Sequence, residues 1–456
     1  MQPTNDGAHG KKRFGLSMED KERLLAAMRG QTALASSTGR TARQSIAPEL
    51  LRFDTLPGYT EIRVQQAVAH KAGLDEIFYV CHEGLATNRT CINGRELRNF
   101  STYDYLGLNG DPRLYAAADD AARRYGMSAS ASRLTAGERP PHRRLERSLA
   151  QLYNAEDCIC FVSGHGTNMS TLGCLFGSRD VIFYDALCHN SLLLGAAMSG
   201  ATRLAYANND MQALAALLEE HRYAFQRAII VTEGLFGMDG CLCDLPRLVE
   251  LKREYGCMLM VDEAHSMGVV GKTGHGVHEH FGLDARDVDI WMGTLSKSFC
   301  GCGGYIAGSA ALVEFLKYHA PGFVYSVGMA PSLAAASNEA VRIMLAEPQR
   351  LARLQANGRQ FLALARERGL DTGRAQGYAV IPIMAGDSLT TAILSQEVRN
   401  RGVLALPMIY PGVEEGKARL RFFISAMHTE DDLRWAVDAV TESLPVARQK
   451  AASYAR

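Results

Sequence analysis

The chain has no excess of either charge: Lys+Arg and Asp+Glu both number 49. A balanced chain gives no global argument for nucleic acid or an acidic membrane surface as partner. No apolar run reaches the roughly 18 to 20 residues that a transmembrane helix needs, so no membrane segment is expected. The opening residues, MQPTNDGAHGKKRFGLSMEDKERLL, lack the apolar stretch of a signal peptide. Cys-x-x-Cys spacing is missing as well. The eleven cysteines are scattered, and the near pairs Cys241/Cys243 and Cys300/Cys302 do not fit a structural zinc site. Reduced thiols in the cytoplasm are the expectation. His275, His278 and His280 lie in a Gly-rich stretch with no partner carboxylate pattern, and no metal is expected there. The tetrapeptide DEAH (262–265) also occurs in nucleotide-driven helicases, but no GxxxxGK[ST] phosphate loop precedes it, which removes that reading.

What is present is an ordinary globular composition, 47% hydrophobic and 21% charged over 456 residues. That length supports a large core and more than one domain. Residues 1–94 read as an N-terminal arm and linker, with helical spacing over LSMEDKERLLAAMRG (16–30). From 95 to 345 short apolar runs alternate with amphipathic stretches. The runs are CICFVSG (158–164), DVIFYDA (180–186), RAIIVTEG (227–234), CMLMVDEAH (257–265), DIWMGTLSK (289–297) and GGYIAGS (303–309). Between them lie helical patterns such as MQALAALLEEHR (211–222) and LPRLVELKREYG (245–256). This alternation predicts an α/β domain around a mostly parallel sheet. Residues 346–456 read as a smaller α+β domain.

Ligands of such sheets bind beyond the carboxyl ends of the strands. Ser163, Asp185, Glu233, Asp262, Thr294 and Lys297 all fall at those ends, which predicts one shared site. A lysine at a buried strand end loses proton affinity by desolvation and becomes an amine able to form a Schiff base. A lone lysine is more often a solvated surface group, so the rest of the set matters. Asp262 ends an apolar run, where a carboxylate is costly unless it meets a cation. SGHGTN (163–168) is a small-residue turn into a helix, a phosphate cradle in many sites and an ordinary turn in many others. His189 follows a strand run and fits either an aromatic ligand or a helix cap. Arg421 alternates with Leu420 and Phe422. Turned inward, its guanidinium suits a carboxylate; turned outward, it is a solvated strand arginine.

Together these residues resemble the α-oxoamine synthases, fold-type I pyridoxal-phosphate (PLP) enzymes. That group includes serine palmitoyltransferase, 8-amino-7-oxononanoate synthase, glycine C-acetyltransferase and 5-aminolevulinate synthase. The resemblance rests on STYDYLGL (101–108), YGMSASASRLTAGERPPHRRLE (125–146), FVSGHGTN, YDALCHNSLL, VTEGLFGMDGCLCDLP (231–246), VDEAHSMGVVGKTGHG, GTLSKSFCGCGGYIAGS and ARLRFFISAMHT, in order from about residue 95 to the C-terminal region. It implies the PLP fold type I, with a large domain and a smaller C-terminal one. Lys297 would be the Schiff-base lysine and proton-transfer base, and Asp262 would pair with the pyridine nitrogen. His265 would contact the ring oxygen and His189 would stack on the ring. The amides of Gly164 and His165, with the hydroxyls of Thr294 and Ser296, would hold the phosphate. Glu233 would belong to the cofactor site, and Arg421 would bind the amino-acid carboxylate. Tyr103, where biotin-pathway members usually carry Asn, is a substrate-contact candidate. A homodimer with shared sites is implied, with Ser326 reaching the partner's phosphate. Two departures stand out: Gly237 replaces a usual serine, and Val327 replaces a second phosphate-binding hydroxyl.

The activity implied is a decarboxylative Claisen condensation of glycine, alanine or serine with an acyl-CoA or an acyl-carrier-protein thioester. The product is an α-amino ketone, in lipid or polyketide biosynthesis. The alternatives are 8-amino-7-oxononanoate synthesis for biotin and a PLP aminotransferase.

Overall fold

The computed structural model describes residues 46–74 and 77–454. The helical spacing expected over 16–30 lies outside the described residues. Two compact units divide at Ala69/His70. In the first, 3-10 turns at Pro48–Leu51 and Phe53–Thr55 precede the helix Pro57–Lys71, which has no buried residue.

In the second unit thirteen strands follow in chain order. β1 (Arg89–Ile92) and β2 (Arg95–Asn99) form a hairpin. β3 (Asp157–Phe161), β4 (Val181–Asp185), β5 (Thr202–Tyr206), β6 (Ala228–Glu233), β7 (Met258–Asp262), β8 (Ile290–Thr294) and β9 (Gly304–Gly308) make the main sheet. β10 (Val380–Gly386), β11 (Val403–Leu404), β12 (Leu406–Met408) and β13 (Ala418–Phe423) complete the set. Each of the six apolar runs expected to be a strand is one.

The main sheet has the order β3-β9-β8-β7-β6-β4-β5. β8, β7, β6, β4 and β5 run parallel, and β9 is antiparallel to both its neighbours. Helices cover both faces, so the central strands are apolar throughout rather than alternating. β6 is buried at every position. Ile229, Ile230 and Val231 are fully buried, each worth about 1.5–3 kcal/mol. β5 was not foreseen. It is an edge strand, and in TRLAY three of the five residues are exposed and one is half-buried, so it carries no apolar run.

A second sheet, β10-β13-β12, is antiparallel and sets Arg421 opposite Pro382 and Leu406. A third joins β1 and β2 to β11. The arm-to-domain boundary expected at 94/95 therefore falls inside the turn of a hairpin whose β2 pairs with β11.

Candidate active site

The carboxyl ends of the main-sheet strands open onto one cavity of about 1080 Å³. Gly164, His165, His189, Glu233, Asp262, His265, Thr294, Ser296, Lys297 and Arg421 all line it. Two candidates do not. Tyr103 sits beside it, with Lys297 Nζ 5.6 Å from its ring centroid. Ser326 is half-buried and lies outside the lining. Asp185 also falls elsewhere. Its carboxylate accepts from the amides of Leu187 and Asn209 and from Asn208 Nδ2, so it braces the turn after β4.

β8 delivers Lys297 three residues past its end. Burial lowers the amine to about 8, against the opposing pull of Asp262 and Glu233. Lys297 has no ion pair among the described residues. Asp262 closes β7 and is 4% exposed. It accepts from Ala264 N at 2.9 Å and from Asn168 Nδ2 at 2.8 Å, and it too lacks a cationic partner among the described residues. A buried carboxylate with hydrogen bonds but no counter-charge is a receptor for a cation.

Glu233 closes β6. It accepts from the amides of His189 (2.6 Å) and Gly237 (3.2 Å). Burial first, then the charge of Asp262, push its carboxyl up to about 8. His265 is buried, with Nδ1 2.8 Å from the Tyr105 hydroxyl. Burial, then Lys297, Arg421 and His189, hold it well below the usual histidine range, so its ring is neutral.

The helix Gly164–Leu175 starts at the cavity wall, capped by Ser163, whose Oγ accepts from Gly166 N. Thr294 Oγ1 stands 2.8 Å from Ser296 Oγ. A Cβ at position 164 would lie 2.8 Å from Thr294 Oγ1, so only glycine lets the helix start approach β8 this closely. The result is a ring of amides and hydroxyls around a helix N-terminus, the geometry that binds phosphate.

β13 alternates. Leu420 and Phe422 are fully buried in the core, while Arg419 and Arg421 share the other face. Arg419 is paired to Asp239 at 2.8 Å. Arg421 has no carboxylate among the described residues. Its Nη1 donates to Gly237 O (3.0 Å), its Nε is buried without a partner, and its guanidinium lies 4.6 Å over Phe423. The inward alternative from the sequence is the observed one.

Residues not singled out from the sequence complete the site. Asn168 and Ser191 line the cavity, and Tyr105 holds His265 from behind. Asn168 stands within SGHGTN and Ser191 follows His189, but short polar residues at helix starts usually read as caps.

Residues 95–440 match the family model described as aminotransferase class I and II. The chain is 40% identical over 351 residues to the 8-amino-7-oxononanoate synthase of Symbiobacterium thermophilum, covering 77% of this chain and 89% of that protein. It is 38% identical over 339 residues to the 4-hydroxy-2,2'-bipyrrole-5-methanol synthase PigH of Serratia sp., covering 74% of this chain and 52% of that one. A solved serine palmitoyltransferase of Sphingomonas wittichii superposes with a TM-score of 0.82 at 25% identity, over 87% of this chain and 99% of that one. The cavity geometry and these matches agree: the chain belongs to the aminotransferase class I and II family and, within it, to the PLP-dependent α-oxoamine synthases.

Proposed function

We propose that this chain condenses glycine, alanine or serine with an acyl thioester, releasing CO₂ and a free thiol and leaving an α-amino ketone. The carrying observation is charge complementarity. One cavity holds a buried carboxylate without a cation among the described residues, a lysine with a weakened proton and an arginine without a carboxylate among them. PLP fits the first two: Asp262 would hold its protonated pyridine nitrogen and Lys297 would hold its aldehyde carbon. Its phosphate suits the amides of Gly164 and His165 with the Thr294 and Ser296 hydroxyls, and His265 would contact its ring oxygen. When bound, PLP draws off the electron pair left at the amino acid Cα.

The protein's own part is positional and acid–base. Arg421, whose Nη1 is held by Gly237 O and whose Nε is buried, would offer its Nη2 side to the substrate carboxylate. Lys297, whose hold on its proton burial lowers to about 8, would take the Cα proton and return it after CO₂ leaves. Asp262 would keep the pyridine nitrogen protonated. The outer wall, with Met238, Met384, Pro411 and Val413 beside Arg374 and Lys417, suits an acyl chain and its polar thioester arm. The donor is an acyl-CoA or an acyl-carrier protein, and the setting is the cytoplasm. No helix among the described residues is long and apolar enough to cross a membrane.

A homodimer is part of this reading. Met127 and Tyr325 are 77% and 87% exposed. Their segments are joined by the bonds Ser132 Oγ–Val324 O and Gly328 N–Ala131 O. The resulting apolar surface beside Ser326 suits a second copy.

The test supplies carboxyl-labelled glycine, alanine or serine with an acyl thioester. Labelled CO₂ and free thiol in equal amounts, from one amino acid above the others, is the expected result. Pyridoxamine phosphate and an oxo acid, without CO₂, would move the chain to aminotransferase chemistry.

A further inference from the structure

We infer that Ser191 and Asn168 are positioning residues that fix His189 as the Nε2–H tautomer and tie it to Asp262. This rests on the proposed placement of a cofactor and substrate in the cavity, but its geometry is a property of the chain itself.

The direction of every hydrogen bond follows from the first. Asp262 Oδ2 accepts from Asn168 Nδ2 at 2.8 Å. The opposite amide orientation would set two acceptors against each other. The second hydrogen of Nδ2 goes to Ser191 Oγ at 2.9 Å. That oxygen therefore accepts, and its single proton is left for His189 Nδ1, 2.7 Å away. The Ser191 backbone N–H also points at Nδ1, at 3.3 Å. Both contacts require a lone pair on Nδ1, so the neutral ring carries its proton on Nε2. Asn168 and Ser191 are 1% and 0% exposed, so little water competes for these bonds. Asn168 Oδ1 has no hydrogen-bond partner although it is buried. The amide orientation is thus set by Asp262 and Ser191, at the expense of its own carbonyl.

The surroundings hold His189 neutral. Burial lowers its proton affinity, and Lys297, His165 and Arg421 add to that, while Asp262 opposes. Glu233 engages only its backbone N–H. A neutral ring with Nε2–H turned away from Ser191 is a hydrogen-bond donor to a carbonyl oxygen. It is not a base, because its one lone pair is occupied by Ser191. His189 thereby orients or polarises a thioester carbonyl, and proton abstraction falls to Lys297 alone. The two roles that face the cofactor, Asp262 and His189, are linked through two side chains from separate helix starts.

The experiment is long-range ¹H–¹⁵N NMR on apo protein labelled at histidine nitrogens, with His189→Gln to assign the signal. Wild type is expected to show His189 as the Nε2–H form near neutral pH. In Ser191→Ala the preference for that form falls about fivefold, the effect of one hydrogen bond. The His189 titration moves up by about half a unit or more, because the bond to the neutral form is gone. Ser191→Thr, which keeps the hydroxyl, restores both, and thermal melts check that each variant folds. A wild-type signal with the proton on Nδ1 overturns the inference without any variant. So do an unchanged tautomer ratio and an unchanged titration in folded Ser191→Ala. Neither depends on PLP or turnover, so the proposed reaction can fail while this stands, or the reverse.

Discussion

Replacing Gly237 with alanine puts a methyl group where His265 already stands. A Cβ at position 237 would lie 2.4 Å from His265 Nε2 and 2.6 Å from Cδ2. The imidazole cannot back away freely, because Nδ1 is held by the Tyr105 hydroxyl at 2.8 Å. Nor can the backbone easily shift: Gly237 N donates to Glu233 and its carbonyl accepts from Arg421. Overpacking of this kind costs about 1–3 kcal/mol. Unfolding entropy of about 2.1 cal/mol/K per residue gives about 1 kcal/mol/K for this chain, so Tm falls by only ~1–3 °C. The displaced His265 would lose the bond proposed for it to the ring oxygen, worth about 1–2 kcal/mol, and PLP is expected to bind about 5- to 30-fold more weakly. Titration of the apo variant with PLP, beside a calorimetric melt, measures both. A serine at 237, the usual residue in the resembling motif, meets the same clash through its Cβ. Wild-type PLP affinity in Gly237→Ala with unchanged Tm would refute the reasoning, since it would mean that His265 is not confined.

Three further outcomes follow from the site. Arg421→Lys replaces a planar fork by a point charge and is expected to raise the amino-acid KM about tenfold or more with folding intact; saturation kinetics with each amino acid reads it. The rate of PLP capture by apo protein should climb tenfold per pH unit and level off near pH 8, the lowered value of Lys297, rather than rise on toward that of free lysine; stopped-flow absorbance follows it. Glu233 binds its proton more tightly folded than unfolded, up to about 8. Its contribution to stability is therefore full at acidic pH and is lost as pH rises through that value. Glu233→Gln should flatten the decline in Tm between about pH 5 and 8, as thermal melts of both proteins would show.

The strands of the main sheet were legible because both faces are covered, so each central strand is an unbroken apolar run. β5 escaped for the opposite reason, being a half-exposed edge. Strand ends pointed to the right end of the sheet, yet Asp185 shares that placement and only braces a turn. Position along a strand does not say which way the next loop folds. Lys297, Asp262 and Arg421 were legible through their neighbours in sequence. Asn168 and Ser191 were not, since Asn168 meets Asp262 across 94 residues and both look like ordinary helix caps. Tyr103 was set in the site by resemblance and stands beside the cavity rather than in its lining; Ser326 was expected in the site of a second copy, and it lies outside the lining of its own chain's cavity.

The central claim is that Lys297 carries the cofactor and moves the Cα proton. The direct measurement is the absorbance spectrum of PLP-loaded wild type and Lys297→Ala while glycine, alanine and serine are added in turn. Borohydride trapping and peptide mass analysis accompany it. Expected are a visible band in wild type that one amino acid shifts, pyridoxyl label on the Lys297 peptide, and loss of both band and label in the variant. Label on another lysine, or a wild-type protein that takes up no PLP, would contradict it.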